Sequence, residues 1–226
     1  MKDVLGTSSL LSIEALTGGI FLLTALGTVA ARQLLACFRL FVLQSFLLST
    51  SAALLGLALH SPHLLAVAVI TLATKTVLIP WLLRRTVHDE VYRIREIDQV
   101  LNIPSSLLLA LALVGAAYVF TDSLGPVGVP AYSFVNLPIG IATLLLGAFT
   151  LTVRREAVAQ LLALLVAENG VFFAGITIVP NLPAIAELAA AVDIPVYTLV
   201  IGLLTRRIYS EIGTTMVGRL TALKEE

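Results

Sequence analysis

The sequence predicts an all-α, polytopic integral membrane protein with seven transmembrane helices, and three observations carry that prediction. Of its 226 residues, 58% are hydrophobic and only 12% are charged. A soluble domain carries about 25% charged residues, and no soluble fold of this length has enough interior for so much apolar surface. The apolar residues come in unbroken runs of about twenty, the length of a spanning helix, not in the roughly ten-residue alternating strands of a membrane barrel. The basic residues, finally, fall between the runs in a pattern that a seven-span topology sorts to one side.

The runs cover approximately residues 10–30, 39–59, 63–83, 104–120, 134–153, 157–179 and 184–205. In the first, Val29-Ala30-Ala31 loosely resembles a signal cleavage site, but the run is too long for a signal core and contains Glu14, so it reads as a retained anchor. The second closes at Ser61-Pro62, with His60 and His63 flanking an outer turn. The third ends in Trp81 followed by Arg84 and Arg85, an interfacial anchor beside a basic cluster. Next comes the only substantial hydrophilic stretch, RRTVHDEVYRIREIDQVLNI, over 84–103. Val87, Val91, Ile94, Ile97 and Leu101 recur there at helical spacing, which predicts an amphipathic helix at the inner surface, either a solvated connector or a docking surface for a soluble partner. The fourth run is the shortest, and turn residues from Gly125 to Pro130 follow it. Pro180 to Pro183 separate the sixth from the seventh.

With the N-terminus outside, Arg32, Arg39, Arg84, Arg85, Arg93, Arg95, Arg154, Arg155, Arg206, Arg207, Arg219 and Lys224 all fall on the cytoplasmic side. That leaves Lys2 outside and Lys75 within the membrane. Adding or removing one helix would scatter these charges to both sides, so the basic residues support seven spans independently of hydropathy. The C-terminus is then cytoplasmic, and residues 1–226 form a single transmembrane domain.

Composition also narrows the function. Cys37 is the only cysteine, and three histidines are too few and too scattered for a metal site. A net charge of zero excludes a broad basic surface for nucleic acid. No phosphate-binding glycine loop, nucleophile elbow or catalytic triad pattern is present. The reading is therefore a non-catalytic protein with no cofactor, no metal and membrane lipid around it.

What remains is charge at membrane depth. Lys75, Glu168 and Asp193 sit near the midpoints of three separate runs. A charge at the bilayer centre costs roughly 2.5–3.5 kcal/mol, so three would cost on the order of 8–10 kcal/mol unless they pair, meet water or move an ion. Pro80 leaves the carbonyl of Thr76 without its helical donor, and Thr74 and Thr76 flank Lys75, so this stretch is a candidate polar spot. Glu168 is followed by Asn169 and Gly170, and Gly170 and Gly175 permit close approach of another helix. In the last run Pro195 frees the carbonyl of Ala191 beside Asp193, and Glu187 lies about 120° around the helix from that aspartate. Glu187 and Glu14 both lie near enough to the interface to be hydrated. For each buried charge the alternative is a static pair or a hydrogen-bonded acid that only fixes helix packing.

The stretch QSFLLSTSAALLGLALHSPHLLAVAVITLATKTVLIPWLLRR resembles the hydrogenase-4 component E family, in which a QS-type second helix leads to a lysine-bearing third helix ending in IPW and a basic cluster. AENGVFFAG and PAIAELAAAVDIPVYTLVIGLLTRRIY continue the resemblance, with the family's acidic residues at Glu168, Glu187 and Asp193. It spans nearly the whole chain apart from residues 121–133. The resemblance implies a membrane subunit of energy-converting nickel–iron hydrogenases or other complexes related to respiratory complex I, in the inner membrane beside antiporter-like and other membrane subunits and a soluble redox module. It also implies that 134–210 is similar to the three-helix K subunit of complex I. Glu168 then corresponds to the first K-subunit carboxylate, and either Asp193 or Glu187 to the second, the aspartate being followed here by a proline. On this reading Glu168 and Asp193 are protonatable stations for proton or sodium translocation and Lys75 is their charge partner. Two other classes are a structural spacer whose charges merely pair, and a stand-alone small transporter, which the lack of a convincing inverted repeat disfavours.

Overall fold

A computed structural model of the chain describes residues 2–86, 97, 99–124 and 131–178. The described residues form helices α1 (Lys2–Ala30), α2 (Leu34–Ala58), α3 (Pro62–Thr71), a π-helical segment (Leu72–Leu78), α4 (Ile79–Thr86), α5 (Ile103–Ser123), α6 (Ala131–Val153) and α7 (Ala157–Ile178). The run from Pro62 to Arg85 acts as one span, so six helices among the described residues are long and apolar enough to cross a membrane. They match the first six predicted runs. The seventh, with Glu187 and Asp193, and most of the 84–103 loop lie outside the described residues.

The ends of the helices are set by local chemistry. At the end of α2, Ser61 N–H donates to the Gly56 carbonyl at 2.9 Å and His60 N–H to the Leu57 carbonyl at 3.4 Å. His60 makes this possible by adopting a positive φ of 53°, the left-handed residue that closes such a cap. Ser61 then caps the next helix, accepting from Leu64 N–H, and Pro62 supplies a first-turn residue with no N–H to satisfy. Asn102 does the same for α5, its Oδ1 accepting from Ser105 N–H at 3.0 Å.

In the bundle, α1, α2, α7 and α6 pack in a closed cycle, each against the next; α3 and the π-helical segment lie against α2, and α5 lies against α1 and α6. The closest approach is between α6 and α7. A Cβ added at Gly147 would collide with the backbone of Ala167, and one at Gly170 with the backbone of Leu144. Small residues on both faces let the two backbones meet, the usual basis of helix association where no hydrophobic effect drives it. Gly175, by contrast, has open space where its side chain would be, so of the two glycines expected to admit a neighbour only Gly170 does so among the described residues.

Three connections converge at one end. Ile97 N–H donates to the Arg32 carbonyl and Val100 N–H to the Val153 carbonyl, while Gln99 and Arg154 form an isolated bridge. The stretches bearing Arg32 and Arg154 therefore share one end of the bundle, as the distribution of basic residues requires. Arg154 itself is no surface charge: it is 3% exposed. Its guanidinium donates from Nη2 to the carbonyls of Thr28 and Ala31, at the end of α1, and from Nη1 to Cys37 Sγ at 2.9 Å. Carbonyls left over at the end of α1 explain why an arginine is drawn inside there.

Candidate functional site

Two apolar clusters fill the bundle. One, toward the arginine-bearing end, contains Phe38, Phe41, Leu83 and Leu162; the other, toward the opposite end, contains Leu55, Leu64, Phe173 and Ile176. Between them lies a belt of polar side chains. Counting about 1.5 Å per residue, Gln44 and Glu168 stand about 15 Å along their helices from Leu34 and Ala157, and Lys75 stands at a similar height from the end of α4.

Lys75 and Glu168, identified separately in the sequence, meet here: Lys75 Nζ is 3.1 Å from Glu168 Oε1. The lysine side chain is 2% exposed and the glutamate 22%. The ammonium also sits 4.0 Å from the centroid of the Phe172 ring, one helical turn beyond Glu168. A carboxylate and an aromatic face thus share one buried lysine side chain. The contact with Glu168 lacks the alignment of a hydrogen bond, so it is chiefly a contact of opposite charges.

The backbone under Lys75 is wider than an α-helix. Ile79 N–H donates to the Thr74 carbonyl, five residues back, and Thr74 Oγ1 donates to the Ile70 carbonyl at 2.7 Å. The irregularity expected ahead of Pro80 is present, but as a π-helical turn rather than one missing hydrogen bond. Isolated π-turns inside α-helices occur mostly at functional positions.

Asn169, adjacent to Glu168, extends the belt to α2. Its Nδ2 donates to Gln44 Oε1 and to Ser45 Oγ, both at 3.2 Å, and all three residues are fully buried. Gln44 Nε2, Asn169 Oδ1, Thr76 Oγ1 and Thr143 Oγ1 are buried and lack a hydrogen-bond partner among the described residues. Buried polar atoms are nearly always satisfied, so unpartnered atoms in the belt that holds the ion pair suit water or an exchanging proton.

A second polar group was not anticipated. Glu14, expected to be hydrated, is 1% exposed. Ser51 Oγ donates to its Oε1 at 2.7 Å and Asn136 Nδ2 to its Oε2 at 2.6 Å. Nearness to the end of the apolar span sets depth, but the side chain faces neighbouring helices, and packing decides burial. The available signal was the matched height of three polar residues: Glu14, Ser51 and Asn136 each stand about 25 Å along their helices from the arginine-bearing end. Glu187 and Asp193 lie outside the described residues, and no group of three or more potential metal ligands occurs among those described.

The chain is similar over nearly its whole length to characterised and uncharacterised proteins alike. It is 30% identical to the uncharacterised protein Rv0085 of Mycobacterium tuberculosis over 213 residues, covering 94% of this chain and 96% of that one. It is 26% identical to hydrogenase-4 component E of Escherichia coli K12, covering 91% of this chain and 94% of that protein, and equally so to its counterpart in Shigella flexneri. No protein-family model and no solved structure matches it.

Proposed function

Because the chain belongs to the family of the Mycobacterium tuberculosis protein Rv0085 and is similar throughout to hydrogenase-4 component E, we propose that it is a non-catalytic membrane subunit of a complex related to respiratory complex I. In that reading it sits in the inner membrane with its N-terminus outside and its arginine-bearing end in the cytoplasm. Its neighbours are antiporter-like membrane subunits, and a soluble redox module drives the complex.

The observation that carries the ion-translocating role is the Lys75–Glu168 pair at mid-height of the bundle. A pair meant only to hold helices together gains from full enclosure and a regular backbone. Here the glutamate is partly open, the lysine rides on a π-turn, and the adjoining residues Thr76 and Asn169 carry buried polar atoms with no partner among the described residues. When Glu168 takes up a proton, Lys75 loses its counter-charge but keeps the Phe172 face, and is free to turn toward another carboxylate. Asp193 and Glu187 are the candidates for that second partner. Proton or sodium movement along this lateral axis would be completed in neighbouring subunits, since one small chain need not enclose a whole channel.

Affinity purification in gentle detergent, followed by mass spectrometry, tests the assignment. Copurification of antiporter-like subunits with a hydrogenase-like or other iron–sulfur module supports it. Recovery of the chain alone, or as a homo-oligomer, would overturn it in favour of a stand-alone transporter.

A further inference from the structure

The Glu14 carboxyl group belongs to neither the Lys75–Glu168 pair nor the K-subunit-like part of the chain. Its partners come from two other helices, Ser51 on α2 and Asn136 on α6, and both are fully buried. No cationic side chain among the described residues reaches it. An ionised carboxylate with no counter-charge among the described residues costs several kcal/mol, which favours a site that takes up a cation of its own.

The two partners identify which cation. Asn136 Nδ2 can only donate, and the N–H it directs at Oε2 would repel a metal ion there, while its own Oδ1 is buried without a partner among the described residues. The Ser51 hydroxyl can work both ways. At 2.7 Å from Oε1 it donates to a carboxylate, or accepts from a carboxylic acid after turning its own hydrogen to the Leu47 carbonyl one turn back. Thr50, the preceding residue, makes that same bond to the Phe46 carbonyl at 2.9 Å.

We propose that Glu14 is a proton-binding site, with the proton carried on Oε1 and held by Ser51 Oγ, open to exchange only from the end of the bundle opposite the arginines. Uptake forms one O–H bond on Oε1 and reverses one hydrogen bond. Exchange toward the Lys75–Glu168 belt is blocked by an aromatic layer. Phe21 of α1 and Phe173 of α7 stack with ring centroids 4.5 Å apart, among Leu48, Ala52 and Ile139. Phe173 follows Asn169 by one turn, and its ring lies beside Gly18, one turn from Glu14. The stacked rings therefore separate the two polar regions. The role of Glu14 as an outer station rests on the ion-translocating reading above; its proton binding does not.

Infrared difference spectra of the full chain within its native complex in lipid nanodiscs, recorded as pH is stepped, test this. A protonated-carboxyl stretching band should lose amplitude as pH rises, vanish in Glu14→Gln, shift in Ser51→Ala and persist in the Lys75→Met, Glu168→Gln double variant. Should Glu14→Gln fail to assemble, Ser51→Ala keeps the carboxyl group and still reports the shift. A band indifferent to pH, or unmoved in Ser51→Ala, would overturn the proposal. So would a band that responds to added sodium at fixed pH, because the site would then hold a metal ion. Loss of pumping in Glu168→Gln is read independently, so this test and the test of the ion path fail separately.

Discussion

Glu14 and Glu168 are glutamates in the same bundle, held by opposite kinds of neighbour. Glu14 has neutral donors on both oxygens and 1% exposure. Glu168 faces an ammonium group, lies against a π-turn and keeps 22% exposure. A carboxyl clamped by two neutral groups has one arrangement and changes only by gaining or losing a proton. A carboxyl paired with a long flexible cation has at least two arrangements, because the cation can leave. The difference separates a local proton site from an element that can pass a charge change sideways, and it is the second that a translocating subunit needs.

The largest effects should come from breaking the charged site. Lys75→Met or Glu168→Gln alone strands one buried charge and should destabilise the fold by about 3–5 kcal/mol. The double variant should recover most of that loss in an unfolding cycle; simple addition of the two single effects would mean that the pair is not coupled. Next come the glycines that bring α6 and α7 together. Gly170→Ala places a methyl group against the backbone of Leu144 and should cost about 1–3 kcal/mol, whereas Gly175→Ala meets open space and should stay within about 0.5 kcal/mol. Equal effects would show that the tight seam does not hold the bundle. At the neutral site, Asn136→Leu removes an obligate donor and should cost about 1–3 kcal/mol, and Ser51→Ala about 0.5–1.5 kcal/mol. Because both act on one carboxyl group, their effects should not add. The smallest change is expected on α5, where Val119 is 71% exposed and faces away from the bundle: Val119→Ala should stay within about 0.5 kcal/mol.

Much of this architecture was legible in the residues. Length and hydropathy located the six described spans to within a few residues, since lipid leaves little choice but a helix of that length. Lys75 and Glu168 stood out because charge is costly in such runs, but their contact was hidden, because a sequence records position along each helix and not which helices are neighbours. Pro80 signalled a lost hydrogen bond at Thr76 but not the π-helical turn that precedes it. The misreadings share one cause. Glu14 and Arg154 both lie near the ends of apolar runs, where hydration is the ordinary expectation, yet each is drawn inward by groups on other helices: Ser51 and Asn136 in one case, the last carbonyls of α1 in the other. Lateral burial depends on tertiary neighbours, and no periodicity within one run reports them.

The measurement that bears most directly on the central claim is ion translocation by the reconstituted complex carrying Lys75→Met together with Glu168→Gln. The double variant removes both charges without leaving either stranded, so assembly should survive. The account predicts a complex with its full set of subunits and its redox turnover retained, but with ion pumping lost. Pumping at the normal rate would contradict it, and the pair would then be a structural link between the third span and α7.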